Sequence, residues 1–294
     1  MRVAAIIVLC SASAFAESTL QQQIHSLAAA AQGTVSVACS LPGSNLNCDL
    51  NPHARPPMQS VFKLPLAVVA LHQVERGALA LDQPVSFLPS DVIHPRPYSP
   101  LQDRYPEAGS DVPLRELLRL AVSLSDNTAA DVVLRVIGGP AVVNAYLESI
   151  GVAGFHLQDN EQDLHHDEQL QYRNWFEPAA AVQLLHLLSD RSPLSAEHTR
   201  ILLEWMQLSP TGADRIKGDL PAGTVVMHKT GSSDRVSGIT AATNDIGLIT
   251  LPDGRRLAIA IFVSDSTAGD ARRDEVIAHI AAAAYGAALH SRTH

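Results

Sequence analysis

Strand-forming segments stand at both ends of this 294-residue chain, and helical ones fill its middle. Thr34 to Ser40 and Leu46 to Leu50 read as strands near the start. Val225 to His228, Ile239 to Thr243, Ile246 to Thr250 and Leu257 to Val263 read as strands near the end, with Pro252-Asp253-Gly254 as the turn before the last. Residues 113–136 and 177–206 carry apolar side chains at helical spacing. Val61 to Val74 is apolar nearly all round, which marks a buried helix, and Pro65 falls in its first turn, where a missing N–H is tolerated. A final helix from about Arg272 presents Val276, Ile277, Ile280, Ala281, Ala284, Tyr285, Ala288 and Leu289 as one stripe. A single sheet can draw on both ends only if the middle folds out as an insertion. The expected class is therefore mixed α/β: an α/β part, 17–55 plus 212–294, with an all-α part, 56–211, inserted into it. Residues 155–176 are polar, aperiodic and rich in His, Asp and Gln, so a long functional loop is expected there.

The first residues read as an export signal. Met1 and Arg2 precede an apolar run, and Ala14-Phe15-Ala16 has the A-x-A pattern of a cleavage site, which predicts removal of 1–16 and a periplasmic or secreted product. Leu9-Cys10 lacks the small residue that a lipid-attachment site needs. Cys39 and Cys48 then remain, flanking a hairpin-like Pro42-Gly43-Ser44-Asn45; a cross-strand disulfide and a pair of buried thiols both fit. The formal charge is 21 − 30 = −9 with no Lys/Arg run, which argues against nucleic acid or an anionic membrane as partner. No apolar stretch reaches the roughly 18 residues of a membrane span. A monomer acting on a small molecule is expected.

Three short strings could carry chemistry. In Ser60-Val61-Phe62-Lys63 at a helix start, positions i and i+3 share a face, so the Lys63 amine can reach the Ser60 hydroxyl and help to activate it as a nucleophile. Ser125-Asp126-Asn127 reads as a helix cap when taken alone, yet Ser125 can relay a proton and Asn127 can offer an amide to a substrate carbonyl. Lys229-Thr230-Gly231-Ser232 ends a strand with a cation, two hydroxyls and a glycine that permits close backbone approach, a set suited to an extended ligand with a carboxylate. The chain has only three lysines, against 18 arginines, and two of them fall in these strings.

S-x-x-K, S-D-N and K-T-G in this order resemble the signature of class A β-lactamases and penicillin-binding proteins, over essentially the whole chain after residue 16. Tyr98-Ser99-Pro100, Gly138-Gly139-Pro140 and Pro252-Asp253-Gly254 add to the resemblance. It implies the serine β-lactamase/DD-peptidase fold, an antiparallel sheet flanked by helices with an all-α insertion. It also implies Ser60 as nucleophile, Lys63 as its proton acceptor, Ser125 as proton donor to the leaving nitrogen, and Asn127, Lys229, Thr230, Gly231 and Ser232 as substrate contacts. A hydrolase, unlike a D-Ala-D-Ala carboxypeptidase that forms a long-lived penicilloyl adduct, needs a base for deacylation, worth about 10²–10⁴ in rate. Glu161 in Glu161-Gln162-Asp163-Leu164-His165 matches the family's base, lying 34 residues after Asn127 and 68 before Lys229. Glu177 in Trp175-Phe176-Glu177-Pro178 lies 50 and 52 away and suits the start of the next helix.

The loop departs from the common class A pattern. His165 and Asp131 stand where Asn is usual, and the Arg–Asp pair that usually closes the loop falls on Asp159 and Asn174, which cannot form a salt bridge. These departures resemble the PER- and VEB-like subgroup, whose members are broad cephalosporinases. We expect Asp131 and His165 to compensate each other, carboxylate to imidazole. Arg215, 14 residues before Lys229, matches an arginine that assists the substrate carboxylate, or else is a solvated surface arginine; Thr211 lies on the same segment. Tyr98 matches an aromatic of the substrate cleft and equally suits packing. Gln59 and Ser233 stand where some carbapenemase relatives carry a disulfide. There is no H-x-H-x-D cluster among the 13 histidines, so no metal and no cofactor is expected.

Overall fold

The computed structural model describes residues 19–291; the expected export signal, 1–16, lies outside them. In chain order the elements are α1 (Leu20–Ala28), β1 (Thr34–Ser40), α2 (Lys63–Glu75), β2 (Pro84–Ser86), α3 (Pro100–Arg104), β3 (Asp111–Pro113), α4 (Leu114–Ser123), α5 (Asn127–Ile137) and α6 (Pro140–Ser149). Then follow β4 (Phe155–His156), α7 (Glu161–His166), β5 (Trp175–Phe176), α8 (Pro178–Asp190), α9 (Ala196–Gln207), β6 (Val226–Ser232), β7 (Arg235–Val236), β8 (Ile239–Thr250), β9 (Arg256–Ser266) and α10 (Asp270–His290).

The two ends of the chain meet in one antiparallel sheet of order β1-β9-β8-β6, with β7 added to β8. Because successive strand residues face opposite sides, each strand feeds two cores. Val37 and Cys39 of β1 and Ile259, Ile261 and Val263 of β9 pack with Ile24 of α1 and Ile277 and Ile280 of α10. Ala38, Ala258, Ala260 and Phe262 face the other way, into the core shared with α2, α4, α5, α8 and α9. At its centre α2 is buried from Lys63 through Leu71, as its all-round apolar sequence requires. Lys63 is the only cation in that run, so its buried amine must find acceptors.

Three expectations from the sequence do not hold. Leu46 to Leu50 is not a strand: only Leu50 bridges to Val37, and the segment is otherwise irregular. Cys39 and Cys48 are nevertheless bonded, with Cα atoms 5.6 Å apart. Ile239–Thr243 and Ile246–Thr250 are one strand, β8, because Asn244 and Asp245, which look like a break, are buried and paired. The segment 155–176 is not structureless; it contains α7, a 3₁₀ turn over Glu168–Arg173 and the β4–β5 pair. α6, for which no element was expected, fills the stretch after Gly138-Gly139, with Pro140 at its first position.

Candidate active site

The three strings converge on one cleft of about 390 Å³. Ser60 sits in a 3₁₀ turn, Gln59–Phe62, that runs into α2 at Lys63. The turn is held from two sides. The Asn244 side chain donates to Pro57 O at 2.9 Å and Met58 O at 3.2 Å, and Met58 N–H donates to Asn174 O at 3.0 Å. On the sheet side β6 passes so near that a Cβ on Gly231 would lie 2.5 Å from Met58 O. Here glycine is required by close approach rather than by backbone angle. Gln59 and Ser125, on either side of the cleft floor, adopt φ +48° and +58°. Such left-handed non-glycine residues are strained and persist only where the surroundings hold them.

Lys63 Nζ is the hub. It lies 2.8 Å from Ser60 Oγ, 2.8 Å from Glu161 Oε1, 2.6 Å from Asn127 Oδ1 and 2.9 Å from Ser125 O, and its side chain is wholly buried. Ser60 Oγ–H is also 3.4 Å from Glu161 Oε1. The Ser60 hydroxyl thus touches an amine and a carboxylate that are paired with each other. Lys229, also wholly buried, donates to Ser125 Oγ at 2.8 Å and Thr230 O at 2.8 Å, so both its contacts are neutral. Burial, then the nearby Lys63 charge, pushes its pKa well below that of a free lysine.

Asp126 is the N-cap of α5 and accepts from Ala129 N–H, Ser99 Oγ–H and Leu101 N–H. The cap and the S-D-N motif are therefore the same object: Asp126 holds Ser125 and Asn127 on either side of itself. Its burial raises its pKa.

Glu161 opens α7, and Asp131 pins it there. The Asp131 carboxylate accepts from Glu161 N–H and Gln162 N–H, both at 2.9 Å. Burial, with the Glu161 charge adding to it, lifts the Asp131 pKa to about 7. His165 Nδ1 instead lies 3.2 Å from Glu161 O. Asp131 and His165 share no hydrogen bond or ion pair among the described residues, so the expected direct compensation is corrected: each acts on residue 161 separately. Asp159 and Asn174 are joined by hydrogen bonds and not by a salt bridge, as expected. Asn174 accepts from Gln158 N–H and Asp159 N–H and donates to Asp159 O, while Arg173, one position earlier, pairs with Asp159 at 2.6 Å. Glu177 lies away from the cleft as the N-cap of α8, beside His53 and Arg55.

Ser60, Tyr98, Ser125, Asn127, Glu161, His165, Arg215, Thr230, Gly231 and Ser232 all line the cleft, with Lys63 and Lys229 beneath it. Arg215 is not a free surface arginine. It donates to Ser232 Oγ at 2.8 Å, Gly231 O at 3.3 Å and Asn244 O at 3.0 Å, and pairs with Asp274 at 2.7 Å. Thr211 meets Thr230 hydroxyl to hydroxyl at 2.7 Å. Tyr98 is 61% exposed, so it is a cleft wall rather than a packing aromatic. Arg235 turns to Ala268 O and Thr267 O.

Sequence reasoning missed Leu164, Glu168, Gln171, Gly212, Asp234 and Val236, which also line the cleft. Gln171 is bonded to Gln59 at 2.6 Å and so ties the loop to the Gln59–Phe62 turn that carries Ser60. Most of these lie within a few residues of a motif, and that proximity was the available signal.

A model of the beta-lactamase enzyme family matches residues 19–288. The extended-spectrum beta-lactamase PER-1 of Pseudomonas aeruginosa is 40% identical over 96% of this chain and 92% of its own length. Beta-lactamase VEB-1 of the same organism is 36% identical over 76% of this chain and 75% of its own. A crystal structure of a beta-lactamase from Chitinophaga pinensis superposes with TM-score 0.87 at 41% identity, covering 92% of this chain and 99% of that one. The TLA-1 extended-spectrum beta-lactamase superposes with TM-score 0.89 at 36% identity, covering 92% and 98%.

Proposed function

The chain belongs to the beta-lactamase enzyme family and is a class A hydrolase of the β-lactam amide bond, the reaction that confers resistance; from that premise we propose how its own residues perform the two chemical steps. Ser60 Oγ attacks the lactam carbonyl, and the Lys63–Glu161 pair takes its proton. The observation that carries this reading is the Glu161 carboxylate, 2.8 Å from Lys63 Nζ and 3.4 Å from Ser60 Oγ. A base at that place can serve the serine before acylation and a water molecule after it. Backbone N–H groups of Ser60 and Ser232 form the oxyanion hole, where one donor is worth about 10²–10³ in rate. Ser125, bonded to Lys229, passes a proton to the departing nitrogen.

Lys229, Thr230, Ser232 and Arg215 hold the substrate carboxylate, and Asn127, Gly231, Tyr98 and His165 shape the rest of the cleft. The substrates include bulky cephalosporins, as the resemblance of the loop to the PER- and VEB-like subgroup implies; PER-1 and TLA-1 are extended-spectrum beta-lactamases. The mature protein is exported after cleavage near Ala16 and acts as a monomer. Its α/β part is 17–55 plus 212–294, and its helical part, 56–211, supplies Ser60, Lys63, Ser125 and Glu161. Steady-state hydrolysis of a chromogenic cephalosporin tests the reading. Many turnovers per molecule, abolished in Ser60→Ala, are expected; one stoichiometric burst without turnover contradicts it.

A further inference from the structure

Two fully buried titratable side chains lie behind the cleft and have no part in the chemistry above. His228 and Asp245 are each 0% exposed, and His228 Nδ1 lies 3.0 and 2.9 Å from the two Asp245 oxygens. His228 Nε2 is buried without a partner among the described residues. The neutral ring with its proton on Nδ1, donated to Asp245, is the form that leaves no buried donor unpaired.

The pair is placed at a junction. His228 immediately precedes Lys229 in β6, and Asp245 stands opposite Thr230 in the β6–β8 ladder. The same carboxylate accepts from Ile216 N–H at 3.2 Å, the residue after Arg215. One carboxylate thus fastens both segments that carry the carboxylate-binding residues: the strand with Lys229 and Thr230, and the 211–217 segment with Arg215. The other ties between the segments are the contact of Thr211 with Thr230 and the bonds of Arg215 to Gly231 O and Ser232 Oγ. Those two ties run through groups that are themselves open to the cleft. The Asp245 tie lies wholly beneath it, where solvent does not compete.

We propose that Asp245 and His228 are positioning residues that fix Arg215 relative to Lys229 and Thr230 and so govern capture of the substrate carboxylate. The inference rests on the assignment of that carboxylate to Lys229, Thr230, Ser232 and Arg215. Neither residue reaches Ser60, Lys63 or Glu161 by hydrogen bond, so the dyad acts on capture and leaves deacylation alone.

The test compares a chromogenic cephalosporin as free acid with the same compound as its carboxyl methyl ester. In the parent protein the acid is strongly preferred. Asp245→Asn raises KM for the acid about tenfold with kcat held within about twofold, and leaves kcat/KM for the ester unchanged. His228→Leu behaves like Asp245→Asn. His228→Asn, whose amide N–H falls near the Nδ1 position, restores the parental acid-to-ester ratio. Equal losses on acid and ester, or a parental ratio in both Asp245→Asn and His228→Leu, overturn the proposal. If Asp245→Asn does not fold, the two His228 variants decide by the same ratio. A parent that does not distinguish acid from ester overturns the carboxylate assignment itself, and the dyad's role with it.

Discussion

Replacing Asp131 by asparagine should change the way stability depends on pH. Burial lifts the Asp131 pKa from 3.8 to about 7, with the Glu161 charge adding to the rise. A carboxyl whose folded pKa lies above its unfolded one favours the folded state at low pH. That contribution is complete below the unfolded value and is lost as pH rises through the folded value. At pH 5 part of it is already gone, and by pH 8 nearly all of it is. Integrated between pH 5 and pH 8 with these two pKa values, the loss is on the order of 2.5 kcal/mol.

Asparagine does not titrate, so the variant escapes this loss. It has a cost of its own, because one of the two N–H groups held by Asp131 would face an amide N–H instead, roughly 1–3 kcal/mol. That cost does not vary with pH and cancels when the two conditions are compared. Urea denaturation of parent and Asp131→Asn at both pH values measures the difference. The variant's stability relative to the parent should improve by about 2–3 kcal/mol from pH 5 to pH 8. Parallel stability curves would show instead that Asp131 is an ordinary low-pKa cap.

Other predictions follow from the site. In Gly231→Ala the new Cβ would lie 2.5 Å from Met58 O, so the nucleophile turn or β6 must move by several tenths of an ångström; kcat/KM should fall by about 10² or more with the melting temperature little changed. Lys229 has only neutral contacts and a pKa pushed well down by burial and Lys63, so kcat/KM should fall on the alkaline side as its charge is lost. In Lys229→Arg, whose guanidinium keeps its proton, that alkaline fall should move to higher pH in a pH–rate profile, whatever the absolute rate.

The residues that announced the site were those whose chemistry depends on local spacing. Ser60 and Lys63 share a face by their i, i+3 separation, and the structure brings them to 2.8 Å. Asp126 caps α5 because the S-D-N string is a cap, and the neighbours of that cap point into the cleft. What could not be read depends on contacts between distant segments. Asn244 and Asp245 look like a strand break, yet they are tolerated inside β8 because the Asn244 amide N–H groups are taken up by Pro57 O and Met58 O and the Asp245 carboxylate by His228 and Ile216.

The segment 155–176 looks structureless because no periodicity supports α7. Its start is held instead by Asp131, some 30 residues away in sequence, and by the Asn160 cap. The pairing expected between Asp131 and His165 failed for the same reason: both departures from Asn lie near Glu161, but the carboxylate meets backbone N–H groups and the imidazole a carbonyl oxygen. Leu46 to Leu50 has the composition of a strand but meets the open edge of β1 only at Leu50, opposite Val37.

The central claim is that the carboxylate of residue 161 releases the enzyme from its own acyl adduct. Mass spectrometry of Glu161→Gln mixed with a cephalosporin, alongside the rate of chromophore release, measures this directly. A single covalent adduct on Ser60 that persists is expected, with turnover reduced by about 10²–10⁴. Rapid turnover at the parental rate with no detectable adduct would contradict it.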